Sequence, residues 1–135
     1  MAVKGRVSHE RTLCKLLMED TRGFATRTGG TSMPWADVHL YRQVGGGVWS
    51  ECVIIEVKSS VKKKKRFIPR EVKQFERYLR TVTKYGLPIY YAFRWVTREE
   101  MPERKKWRFF DARGIHNHKM NWEDGMTYKQ FLERL

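Results

Sequence analysis

The stretch Cys52-Val53-Ile54-Ile55-Glu56-Val57-Lys58 constrains the fold of this chain more than any other. Four apolar residues follow one another without a helical rhythm, and a charged pair closes the run. Such a continuous apolar run suits a strand covered on both faces. A strand of that kind lies inside a sheet, and the sheet needs helices packed against it.

The flanking sequence supplies the other elements. Ser8 is placed to cap a helix over about His9 to Thr21, where Leu13, Leu16 and Leu17 recur at helical spacing and Gly23 marks the stop. Phe24 to Thr28 reads as a short strand, Gly29 to Ala36 as a turn-rich loop, and Asp37 to Val44 as a second strand. Gly45-Gly46-Gly47 makes a hairpin turn into the strand Trp49 to Lys58, and Ser59 to Arg66 is a hydrophilic loop. From Pro69 to Tyr85 the pattern is helical: Val72, Phe75, Leu79 and Val82 form an apolar stripe, and Lys73, Arg77, Arg80 and Lys84 a basic one. Ile89 to Trp95 and Trp107 to Asp111 read as strands, Thr97 to Lys106 as a charged loop, and Thr127 to Leu135 as a short helix. The expected architecture is a single α/β domain over residues 1–135, with a mixed five-stranded sheet flanked by α-helices.

Alternation along a strand puts Glu56 and Lys58 on the same face, at the end of the apolar run, where they can face a cleft. The hairpin runs the two strands antiparallel, so Asp37, at the start of one, can meet Glu56 and Lys58 at the end of the other. Two carboxylates can hold a hard cation such as Mg²⁺. A lysine beside them can hold a phosphate or stabilise developing negative charge. Together they form a minimal site for metal-assisted phosphodiester hydrolysis. Taken alone, Glu-x-Lys on a strand is commonly a solvated face; the Asp37 partner and the basic surroundings give it weight.

Those surroundings are extreme. The chain carries 28 Lys and Arg against 15 Asp and Glu, a net charge of +13 over 135 residues, and a polyanion such as nucleic acid is the simplest compensating partner. The run Lys62, Lys63, Lys64, Lys65 and Arg66 lies just beyond Lys58 and can grip phosphates without reading sequence; a solvated loop or an address signal is the bland alternative. No apolar run reaches the length of a membrane span, and the first residues lack a signal-peptide core, so a cytoplasmic protein, nucleoid-associated or in a host cell's cytoplasm if viral, is expected. Cys14 and Cys52 are far apart, which excludes the usual zinc-finger spacings. No Gly-rich phosphate loop followed by Lys-Ser/Thr exists, and His116-Asn117-His118 lacks the wider constellation of the nuclease class that its letters spell.

Asp37 followed by Glu56-x-Lys58 resembles the PD-(D/E)xK nuclease superfamily. Lys4-Gly5, Glu10-Arg11 on the first helix, Gly23-Phe24, Arg27 and the loop Gly29-Gly30-Thr31-Ser32 ahead of Asp37 are similar to archaeal Holliday-junction resolvases, over roughly residues 4 to 95. The resemblance implies a restriction-endonuclease-like fold and a homodimer that nicks opposing strands of a four-way junction with Mg²⁺ or Mn²⁺ and no small-molecule cofactor. It makes Asp37 and Glu56 metal ligands, with Glu10 completing the acidic cluster, and Lys58 the catalytic lysine. Arg11 and Arg27 become phosphate contacts, and Thr31 or Ser32 the loop hydroxyl near the scissile phosphate. Ala36 stands where the superfamily often has proline. Gln74 and Tyr78, one helical turn apart, resemble a Gln-x-x-x-Tyr pair of related nucleases, which makes Gln74 a further candidate; Lys73 extends the basic surface. The strand Ile89 to Trp95 and the C-terminal segment can supply a dimer interface or belong to the core. A nuclease acting on other branched or duplex DNA and a non-catalytic basic DNA-binding protein are the rival readings.

Overall fold

A computed structural model describes residues 2–27, 37–43 and 49–135, with side chains for 8–27, 37–42 and 53–135. The elements in chain order are α1 (Ala2–Asp20), β1 (Phe24–Arg27), β2 (Val38–Gln43), β3 (Trp49–Ser60), β4 (Lys64–Arg66), α2 (Pro69–Tyr85), β5 (Ile89–Trp95), β6 (Trp107–Asp111), β7 (Lys119–Asn121), β8 (Met126–Thr127) and α3 (Tyr128–Arg134). The Gly29–Ala36 loop and the Gly45–Gly47 turn expected from the sequence lie outside the described residues.

Among the described residues the main sheet has six strands rather than the expected five, in the order β1-β2-β3-β5-β6-β8. β3 pairs with β5 in parallel, and the remaining pairs are antiparallel. The sixth strand is only Met126–Thr127, too short to leave an alternating pattern.

β3 is covered on both faces, as its apolar run requires. Val53, Ile55 and Val57 join one buried cluster with Leu13, Leu16 and Leu17 of α1 and Tyr128 and Phe131 of α3. Ile54, one residue out of phase, joins the other, with Phe75, Tyr78 and Val82 of α2 and Tyr91 and Phe93 of β5. The period of two thus sends successive β3 residues into two separate cores. On the α1 side, the Phe109 and Phe131 rings stack with centroids 4.1 Å apart. Cys14 is buried there, and burial pushes its thiol up to about 11, so it is an inert core residue.

α1 corrects one expectation. It begins at Ala2, so Ser8 is an interior residue whose carbonyl accepts from the Thr12 hydroxyl (2.9 Å), not the cap. Nothing between Ala2 and Ser8 forbids a helix: Gly5 costs only about 1 kcal/mol there. Gly23 closes the turn into β1, and a Cβ on it would lie 2.6 Å from the Tyr41 carbonyl oxygen. α2 ends as expected, on Gly86 at φ 68°, whose N–H bonds the Val82 carbonyl (2.8 Å).

The hydrophilic segment Ser59 to Arg66 also differs from expectation. β3 continues to Ser60, and Lys64–Arg66 forms a strand paired antiparallel with β7 in a second, two-stranded sheet. The pairing is prolonged by Phe67 N–H to His118 O (2.8 Å) and Trp122 N–H to Lys63 O (2.7 Å). Its polar sequence hid it, since only the inward Met120 of β7 is apolar and buried. Among the described residues no helix is long and apolar enough to cross a membrane.

Candidate active site

The β2–β3 register puts Val38 opposite Ile55, so Asp37, one residue ahead of β2, stands level with Glu56. Asp37 is fixed by its Oδ2, which accepts the Val57 N–H at 2.9 Å. Glu56 is fully buried on the α2 side. Its Oε1 accepts from the Tyr78 hydroxyl (2.9 Å), and its Oε2 lies 3.2 Å from Lys58 Nζ. The same lysine nitrogen is 2.8 Å from Glu71 Oε2 and 3.5 Å from Gln74 Oε1. Glu71 Oε1 in turn takes Lys65 Nζ (3.1 Å) and the Ile68 N–H (3.0 Å). A chain of charges therefore runs Glu56–Lys58–Glu71–Lys65 from the centre of the sheet to the second sheet.

Glu10 occupies the other side. It is buried midway along α1 and ion-pairs with Arg27 of β1 at 2.8 Å. Arg27 alternates with the core residue Ala25, which places the pair on the α1 face. Asp37 stands between the two sides. Burial raises the Glu10 carboxyl, the Arg27 hydrogen bond opposes this, and the Asp37 charge adds to it. Burial also pushes Glu56 up to about 7, helped by Asp37 and opposed by Lys58. For Glu71, burial works upward too, but hydrogen bonds from Lys58, the Ile68 N–H and Lys65 prevail and bring it down to about 2.

The donor set suits a hard divalent cation. When ionised, Asp37, Glu56 and Glu71 carry three negative charges against two on Lys58 and Lys65, a net negative site in a molecule of +13. Two of those carboxylates are crowded enough for one to retain its proton near neutrality, and a cation between them relieves the same repulsion. Among the described residues no three His, Cys, Asp or Glu side chains form a metal cage by themselves. Mg²⁺ asks for less, taking one or two carboxylates and completing its octahedron with water and phosphate.

The structure thus brings Asp37, Glu56, Lys58 and Gln74 together, with Glu10 and Arg27 across the sheet. Thr31 and Ser32 lie outside the described residues. Arg11 is exposed on α1 and Lys73 on α2, and Lys62, Lys64 and Arg66 are exposed as well. The basic run is not uniform, because Lys65 turns inward to Glu71. Lys63 is held by Glu123 (3.0 Å) over the rings of Trp95 and Trp122. Glu71 is the residue that sequence reasoning missed. It interrupts a buried face made by Phe75, Tyr78 and Val82, and a buried acid on such a face is the signal that could have found it.

No family model matches the chain, and no curated protein sequence does. Among solved structures, a Holliday junction resolvase from the archaeal hyperthermophile Archaeoglobus fulgidus is similar with a TM-score of 0.61, 21% sequence identity, and coverage of 90% of this chain and 94% of that one. The two share a fold. It is restriction-endonuclease-like, as the sequence led us to expect, and it extends past residue 95, where the sequence resemblance faded.

Proposed function

We propose that the chain is a metal-dependent DNA endonuclease that resolves four-way junctions. The observation that carries this is the convergence of Asp37, just ahead of β2, with Glu56 and Lys58 of β3, in a fold shared with a resolvase. Asp37 and Glu56 would hold Mg²⁺ or Mn²⁺, and Glu10 would act on Asp37 from behind. The bound ion supplies a more acidic water and neutralises phosphate charge. Lys58 holds a non-bridging phosphate oxygen and stabilises the charge that develops there. Glu71 and Gln74 hold its ammonium beside Glu56, and Tyr78 fixes the rotamer of Glu56 by its hydrogen bond. Resolution requires two cuts, so a second copy of the chain supplies the second site. The protein works where DNA is accessible to it, in the cytoplasm.

The β5 side chains Ile89, Tyr91 and Phe93 are buried in the core, as are Tyr128 and Phe131, so these do not form the interface between copies. The test is cleavage of labelled four-way junction, fork and linear duplex with Mg²⁺ or EDTA, beside Asp37→Asn. Paired symmetric nicks in the junction alone, absent with EDTA and in the variant, support the reading. Equal cutting of all three substrates replaces it with a general nuclease, and binding without any metal-dependent cutting removes the enzyme.

A further inference from the structure

The two-stranded sheet sorts its charges in a way that the fold alone does not require. Alternation turns Lys65 and Met120 inward, where Lys65 meets Glu71 and Met120 is buried. The outward residues of β4 are Lys64 and Arg66, and their partners across the ladder are Asn121 and Lys119. Arg66 and Lys119 are directly opposite, and like charges in that position destabilise a ribbon. Lys64, Arg66 and Lys119 are all exposed, and among the described residues no carboxylate forms an ion pair with them. The turn that delivers Lys119 has two consecutive residues in the left-handed region, Asn117 at φ 58° and His118 at φ 52°, a backbone uncommon outside glycine that Asn and His adopt more readily than most residues.

We propose that the outer face of the β4–β7 ribbon is a phosphate-binding surface for the backbone of DNA, with Lys119 its unrecognised member. Naming DNA as the polyanion rests on the nuclease reading; the ribbon's charge arrangement does not. Lys64 and Arg66 repeat about every 6.8 Å along the strand, a spacing close to that of successive phosphates on one nucleic-acid strand. The ribbon's inner face is tied through Lys65 and Glu71 to Lys58. A phosphate held outside is thereby set at a fixed distance from the proposed reacting one.

The test is binding of a fluorescent four-way junction in EDTA across a salt series, with thermal melts of the same proteins. R66E turns a like-charge pair into an opposite one, so its melting temperature should rise by about 2 °C. Its junction affinity at 0.1 M salt should fall about tenfold, and its log-log salt slope should flatten by about 0.9. R66E/K119E should lose about a hundredfold and return to the parental melting temperature. K105E/K129E, a reversal of equal charge on exposed residues outside the ribbon, should bind more tightly than R66E/K119E. An unchanged affinity in R66E, or an equal loss in the control pair, overturns the proposal. Weakened binding in R66E by a protein that never cuts DNA would uphold the ribbon and sink the nuclease reading. Metal-dependent cutting by an R66E protein with undiminished affinity would do the reverse.

Discussion

The two faces of the central sheet treat charge differently. On the α1 side the charges close into short pairs, Glu10 with Arg27 and Glu103 with Arg94, beside a cluster of leucines and stacked phenylalanines. On the α2 side four charges run in series, from Glu56 to Lys65, beneath a helix that contributes Glu71, Gln74 and Tyr78. Short pairs largely neutralise themselves, although Glu10 still feels the Asp37 charge. A chain whose first link is crowded by Asp37 and whose last link is the half-buried Lys65 of the ribbon leaves an electrostatic demand of the kind that an ion and a phosphate meet. Under the proposed function, stability belongs to one face and chemistry to the other, and that division can be broken.

The largest effect should come from the point where the faces meet. Asp37→Asn keeps an oxygen for the Val57 N–H but removes a charge, and junction cleavage at saturating Mg²⁺ should fall at least about 1000-fold, worth about 4 kcal/mol of barrier, with the melting curve retained. Comparable cleavage in quench-flow assays would break the assignment. On the other face, Phe109→Ala should cost about 4 kcal/mol in urea unfolding, while the cleavage rate per folded molecule stays at the parental value.

The third test is pH dependence of the metal-free protein. Glu56 has a folded-state value raised from 4.5 to about 7, so the folded protein binds more protons in that window. Its contribution is present below pH 4.5 and is lost as the pH rises through 7, about 3 kcal/mol in all. Glu71, lowered to about 2, has the opposite sign: its contribution is present above pH 4.5 and disappears as the pH falls towards 2. Denaturation midpoints between pH 4.5 and 7.5 should fall in the parent, flatten in Glu56→Gln, and recover on adding Mg²⁺ at pH 7.5. A flat parental profile would contradict the burial of an ionisable Glu56. The smallest effect belongs to Glu71→Gln, where Lys58 loses its holder. Cleavage should slow about tenfold, or about 1.4 kcal/mol, with junction affinity unchanged or tighter because a negative charge has gone. Parallel losses in affinity and rate would make Glu71 a fold residue instead.

How much could be read beforehand follows from where each signal resides. β3 and its closing Glu56-x-Lys58 were legible because burial, alternation and the charged end fall within one continuous segment. Asp37 followed from the hairpin, and α2, β5, β6 and α3 from their own periodicities. The ribbon was not legible, since Lys64–Arg66 and Lys119–Asn121 pair across a large sequence separation and neither shows an apolar rhythm. Glu71 was overlooked for a related reason. An acid in the first turn of a helix already suits the dipole, so its place on the face of Phe75, Tyr78 and Val82 passed as an ordinary helix start. Ser8 misled for the opposite reason, since a good capping residue sat inside a helix that did not need it.

The parallel pairing of β3 with β5 also sets an order of events during folding. β1, β2 and β3 follow one another antiparallel and can zip locally, whereas β5 joins only after the segment carrying α2 has crossed over. Asp37 and Glu56 therefore come together first, and Tyr78, Glu71 and Gln74 arrive with the later closure. The set of side chains around Lys58 is complete only once α2 has docked on the sheet.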